Sequence, residues 1–224
     1  MEILEIEILT DNIDETIKFY SELLGFESLH KDRKTISFRV GKSVLSFTKS
    51  DNLNPKYHFA FNIPCNKIDQ AILWTSARTR LIKITDDKII ADFNSWNANA
   101  IYFLDNNGNI LEFIARHDLN NASENNFDFS SVQSISEIGI VTDNPLELAD
   151  KLINENKLSL FAKGVKSESF IALGNDYGLF IIVKANRNWY PTNLPAEKFF
   201  TKIKLKINST TAELTINDNY SITD

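Results

Sequence analysis

Three histidines and one cysteine stand among 224 residues, so few places in this chain can do chemistry. His58 lies in YHFAFNIP (57–64), which alternates with the two-residue period of a strand. Tyr57, Phe59, Phe61 and Ile63 share a face suited to packing under helices, and His58, Ala60 and Asn62 share the other, in register with a cavity. In GNILEFIA (108–115), Glu112 falls on the face of Ile110 and Ile114, opposite Leu111, Phe113 and Ala115. A carboxylate among aliphatic side chains costs several kcal/mol unless it is paired or bound to a cation. Arg39 and Arg116 are the candidate partners in sequence, and a divalent ion is the other solution. Tyr102, ten residues before Glu112 across the turn NNGN (106–109), could face the same cavity. Trp96, Asn97 and Asn99 precede it, a flat ring beside amides that can clamp a small polar molecule. His30, next to Lys31 and Asp32, reads as surface, and Arg116 and His117 read as the exposed end of the last strand. Cys65 follows Pro64 at a strand end with no histidine near it, and reads as a loop residue rather than a nucleophile.

The elements that must position these residues follow from periodicity. Residues 2–9 alternate as a strand, Ile13, Ile17, Tyr20, Leu23 and Leu24 recur at helical spacing, and Gly25 closes the run. Strands at 26–31, 34–40 and 43–49 complete a βαβββ unit. The order restarts with a strand at 57–64, a helix at 66–78 and strands near 80–84, 87–93, 99–104 and 109–115. Residues 119–131, LNNASENNFDFSS, are polar and without period, a linker by composition. Beyond them the opening recurs: EIEILTDN (5–12) and EIGIVTDN (137–144) agree at six of eight positions, and SFRVG (37–41) weakly resembles FIALG (170–174). The expected division is a two-module domain over 1–118, a linker over 119–131 and a partial module over 132–224, truncated because too few residues follow the strand TKIKLKI (201–207). The fold class is α+β and rich in strand.

Composition excludes several functions. A formal charge of −6 is the wrong sign for a phosphate-backbone partner, so no nucleic acid is expected. No apolar run approaches the roughly 20 residues of a membrane-spanning helix. The N-terminus lacks a basic region followed by an apolar block, so no signal peptide is expected. The lone cysteine excludes an internal disulfide and suits a reducing cytoplasm. There is no GxGxxG, Walker, GxSxG or HExxH pattern.

LTDNIDETIKFYSELLGF (9–26), YHFAFNIP (57–64) and DNNGNILEFIARHDL (105–119), taken in order, resemble the vicinal oxygen chelate superfamily of glyoxalases, bleomycin-resistance proteins and extradiol dioxygenases. The resemblance spans residues 1 to about 119, and 137–205 resembles a further module. It implies paired βαβββ modules forming a half-open barrel with helices outside, whose concave face binds a divalent metal that chelates vicinal oxygens of a small molecule. Ligands in that superfamily come from the first strand of each module and the last strand of the pair, which in this chain are Glu5, His58 and Glu112; Glu5 departs from the more common His or Gln. One histidine with two carboxylates is a hard donor set, favouring Mn, Mg, Ni or Zn Lewis-acid chemistry over the iron site of oxygen activation. A proton-transfer, addition or ring-opening step follows, with Glu5 as general base. Extradiol ring cleavage on iron, in which a tyrosine at the spacing of Tyr102 assists catalysis, and metal-free sequestration of a small molecule are the alternatives. Glu137 stands where Glu5 does, but Thr201 and Lys202 take the place of His58, and an ammonium repels a metal ion. The partial module therefore reads as structural, covering an edge or mediating self-association, with WYPTNLP (189–195) as a loop reaching a neighbouring surface. A homodimer is expected, because the C-terminal half-copy lacks a mate.

Overall fold

The computed structural model describes the chain except residues 52, 217–220 and 224, and describes 221–223 by backbone alone. The first module is β1 (Glu2–Thr10), α1 (Ile13–Ile17), β2 (Ser28–Lys31), β3 (Thr35–Val40) and β4 (Ser43–Lys49). Asn12 starts α1 by accepting from the backbone N–H of Asp14 and Glu15, and π-type turns over Lys18–Leu23 extend it. The second module is β5 (His58–Ile63), α2 (Ile68–Ser76), the short β6 (Leu81–Ile82) and β7 (Ala91–Phe93), β8 (Ala98–Leu104) and β9 (Ile110–Arg116). The third is β10 (Ser134–Thr142), α3 (Pro145–Asn156), β11 (Phe170–Asn175) and β12 (Gly178–Lys184); β13 (Thr201–Ile207), β14 (Thr210–Ile216) and β15 (Ser221–Thr223) end the chain as a meander.

All strands belong to one open sheet, in which the path β15-β14-β13-β1-β10-β5-β9-β8-β6 carries β4, β3 and β2 as a branch from β1, and β12 and β11 as a branch from β10. The second module pairs with the third: β5 runs antiparallel to β10 and parallel to β9. The first module pairs with the C-terminal meander, since β1 lies antiparallel to β13 along six residue pairs. Between the two halves β1 and β10 share one register pair, Ile3 with Ile135. The partial module, expected to lack a mate within the chain, pairs through β10 with β5 of module two, and its last strands pair through β13 with β1.

The period-two reading of β5 holds in three dimensions. Phe61 packs edge-on to Phe26 and at 5.9 Å from Phe113, while Trp74 of α2 meets Phe127 at 5.7 Å. Each fully buried phenylalanine contributes about 1.5–3 kcal/mol. Residues 119–131 are stitched down: Cys65 N–H donates to Asn121, Phe127 N–H donates to Gln70, and Leu119 and Phe127 are buried. At Gly41, with φ +57°, an added Cβ would lie 2.1 Å from the Gln133 carbonyl, so only glycine lets the β3–β4 turn dock there. Asp105, raised by burial, organises the β8–β9 turn by accepting from Asn107 N–H, Asn109 N–H, the Asn109 amide and the Tyr20 hydroxyl at 2.7–2.9 Å.

Candidate metal centre

β5, β9 and β10 lie side by side, and their register converges three side chains. Ala60 stands opposite Glu112 on β9 and opposite Glu137 on β10, so both carboxylates flank the strand that carries His58. One donor atom from each of His58, Glu112 and Glu137 lies within 4.8 Å of the others. All three are at least 94% buried, with relative exposures of 6, 2 and 3%. They line a cavity of about 440 Å³ with Phe93, Trp96, Tyr102, Phe170, Trp189 and Tyr190 among its walls. Depressions of about 710 and 540 Å³ elsewhere are lined by solvated groups such as Asp14 and Lys31, or Asn120 and Gln133, and contain no buried ionisable side chain.

The protonation of His58 follows from its partner. Nδ1 lies 3.1 Å from the Ile110 carbonyl oxygen, which can only accept, so Nδ1 carries the hydrogen and Nε2 presents a lone pair. Burial pushes the imidazole pKa down to about 4, with the charge of Arg187 adding to the effect. Nε2 then faces Glu112 Oε2 at 3.6 Å, and with a neutral imidazole this is not an ion pair; an ionised Glu112 there would set two acceptors against each other. Burial, and next the charge of Glu137, raise the Glu112 carboxyl well above the usual carboxylate range. Its hydrogen-bond donor is the Tyr102 hydroxyl directly across the β8–β9 ladder. Glu137 is raised by burial too, but Arg116 opposes the shift through a buried salt bridge. Arg116 Nε also reaches Ser136 Oγ at 3.2 Å, and Nη1 reaches Asp176 at 3.4 Å. Glu112 is therefore the carboxyl that needs a proton or a cation. Three donors about 2.1 Å from one ion lie at most about 3.6 Å apart when evenly spread, so donor atoms up to 4.8 Å apart would draw together by up to about 1 Å to hold an ion.

A family profile described as the Glyoxalase/Bleomycin resistance protein/Dioxygenase superfamily matches residues 2–152, more than half of the chain. The chain belongs to this superfamily. No curated protein sequence matches it. Among solved structures, a candidate dioxygenase from Bacillus subtilis subsp. subtilis str. 168 superposes with a TM-score of 0.60 at 15% identity, covering 88% of this chain and 65% of that one. The V278E mutant of glyoxalase I from Zea mays superposes with a TM-score of 0.55 at 15% identity, covering 87% and 70%. This chain thus spans 65% of the Bacillus protein's length, and both likenesses concern the fold.

In superfamily terms the donors come from the first strands of two paired modules and a last strand, but the pair is two and three. His58 and Glu112 meet as expected, whereas Glu5 lies outside the cluster. Its carboxylate accepts from Ser46 Oγ at 2.7 Å, and its cross-strand neighbour on β13 is Lys204. The place on β12 related to Glu112 by the repeat is Ile181, opposite Gly139, so β12 adds no carboxylate to the cluster. Tyr102 and Trp96 line the cavity. Asn97 and Asn99 do not: Asn97 is exposed and donates to Asp118 at 2.7 Å, and Asn99 alternates away from Tyr102 and donates to Asp92 at 2.7 Å.

Arg116, read from sequence as an exposed strand end, is fully buried, because its spacing of four from Glu112 keeps it on the cavity face; His117 is exposed. His30 is exposed beside Asp32 at 3.2 Å, and Arg39 pairs with Glu27 instead of Glu112. β10 of the third module places Glu137 in this cluster. In the loop expected to reach a neighbouring surface, Trp189 is buried 5.2 Å from the His58 ring, while Tyr190 is exposed at the cavity rim with its ring 5.8 Å from Tyr102. The signal for Glu137 was present in the 5–12 and 137–144 repeat. None marked Trp189, whose burial depends on a long-range contact.

One outcome of this arrangement is spectroscopic. In the metal-free protein, nitrogen-15 NMR of His58 shows a protonated Nδ1 and an unprotonated Nε2 from pH 8 down to pH 5, with no midpoint near the ordinary histidine value of 6.5. A midpoint at or above 6.5 would show that His58 and Glu112 form an ordinary ion pair.

Proposed function

We propose that His58 Nε2, Glu112 and Glu137 hold a divalent cation and that the cavity above them takes a small molecule with vicinal oxygens. The observation that carries this reading is the convergence of one donor atom from each of His58, Glu112 and Glu137 within 4.8 Å of one another, all buried, with no Lys or Arg within salt-bridge distance of Glu112 among the described residues. A bound cation would act as a Lewis acid on a substrate oxygen, and the hard donor set suits Mn, Mg, Ni or Zn. The chain's own residues do the rest. The Ile110 carbonyl locks the His58 tautomer, Arg116 orients Glu137, and the Tyr102 hydroxyl is placed to exchange a proton with Glu112. Aromatic walls limit water.

Metal-free sequestration is the second reading, favoured by the Arg116–Glu137 pair, which balances one carboxylate without an ion. Elemental analysis of protein purified without chelators and reloaded with Mn²⁺ or Zn²⁺ separates the two. About one equivalent in the wild type and a small fraction of that in His58→Ala supports the metal centre. Equal, negligible metal in both supports sequestration.

A further inference from the structure

We propose that the ligand of this cavity is a planar aromatic molecule bearing an anionic group, its ring held by the aromatic walls and its anion by Arg187. This rests on the reading of the cavity as a small-molecule site, and not on the cation.

The walls make the first part of the argument. Phe93, Tyr102 and Tyr190 meet edge to face, at 6.1 Å between Phe93 and Tyr190 and 5.8 Å between Tyr102 and Tyr190. Trp96 and Phe170 lie 6.5 Å apart in a tilted arrangement on another wall. Such surfaces offer faces and edges whose quadrupoles favour a flat ring over a saturated one of equal size. A volume of about 440 Å³ admits one or two fused rings.

The charge makes the second part. Arg187 lines the cavity and is half-buried, yet no carboxylate lies within salt-bridge distance of it among the described residues. Its guanidinium sits 5.3 Å from the centre of the Phe170 ring, and its hydrogen bond to protein is a long one, Nη1 to the Asn188 carbonyl at 3.4 Å. Arg116, by contrast, is taken up by Glu137 and Asp176. The backbone that carries Arg187 is anchored: its N–H donates to the Lys184 carbonyl at 3.1 Å and its carbonyl accepts from Ala196 N–H at 2.8 Å. A half-buried guanidinium on the cavity wall, carried on an anchored backbone and with no carboxylate within salt-bridge distance among the described residues, is a site for an anion.

The test uses 2-naphthoate, its uncharged amide 2-naphthamide, and the saturated decalin-2-carboxylate as probes, titrated calorimetrically into metal-free protein and into protein saturated with Mn²⁺. A charge-assisted pair in a partly desolvated site predicts that 2-naphthoate binds at least about 10-fold tighter than either comparison compound. Arg187→Gln removes the preference for the acid over the amide, in metal-free protein as in protein saturated with Mn²⁺. The proposal is overturned if the amide or the decalin acid binds as well as 2-naphthoate, if Arg187→Gln retains the preference, or if none of the probes binds at millimolar concentration. A failed metal analysis with an intact acid preference would remove the metal centre and leave this site standing.

Discussion

Glu137→Gln lowers the divalent-metal affinity of the protein by at least about 100-fold, whereas Glu5→Gln leaves it within about 3-fold, because loss of a direct ligand costs no less than loss of the groups behind one, and distant sites act independently. The two residues occupy the same place in the repeated segments, so the contrast isolates the tertiary environment. Glu137 shares its cluster with His58 and Glu112. Glu5 is half-buried, bonded to Ser46, and next to Lys204 across the ladder, with Glu7 next to Lys202. An ion brought to Glu5 would meet ammonium groups, one of which, Lys202, is already bound to Glu213 at 2.9 Å. Calorimetry with Mn²⁺ and Zn²⁺ at pH 7 reads the result, with circular dichroism to confirm that each variant folds. Equal losses in the two variants, or a larger loss in Glu5→Gln, would refute the placement of the centre between modules two and three.

Arg116→Met destabilises the metal-free protein by about 3–5 kcal/mol in urea unfolding, the range for removing one partner of a buried ion pair. The guanidinium is fully buried and serves Glu137, Ser136 and Asp176 at once, with the Trp96 ring 5.7 Å and the Phe161 ring 5.9 Å away. Asp176 keeps Lys163 at 2.7 Å after the substitution, so the orphaned charge is Glu137. The double variant Arg116→Met, Glu137→Gln accordingly recovers at least about 1 kcal/mol, a coupling typical of residues in direct contact. Saturating metal also recovers part of the loss in the single variant, since a ligand at 100 times its dissociation constant contributes about 2.7 kcal/mol to the folded state. Additive losses in the double variant would mean that Arg116 acts through packing and not through Glu137.

Alternation placed several residues correctly. In YHFAFNIP and GNILEFIA the two-residue period assigned His58 and Glu112 to the cavity face before any partner strand was known, and the structure puts both there. The same rule, extended four residues, would have put Arg116 on that face; its place at the end of the strand suggested solvent, and burial is a property of what covers a strand end. Asn99 shows the rule being neglected: three residues before Tyr102, it belongs to the opposite face.

The order of strands and helices, the repeat, and the facing of individual side chains were determined by the sequence alone, because each is a local consequence of side-chain period and turn chemistry. The choice of partner for β5 was decided only in the tertiary structure. β1 and β10 open with nearly the same residues, and local pattern favours neither. One of their two differences sets Glu7 against Gly139, and at Gly139 an added Cβ would come within 2.5 Å of the Trp189 ring and 3.1 Å of the His58 carbonyl. Only the strand with glycine there leaves room for an indole distant in sequence to pack beside His58, and that contact exists only once the chain has closed over the cavity.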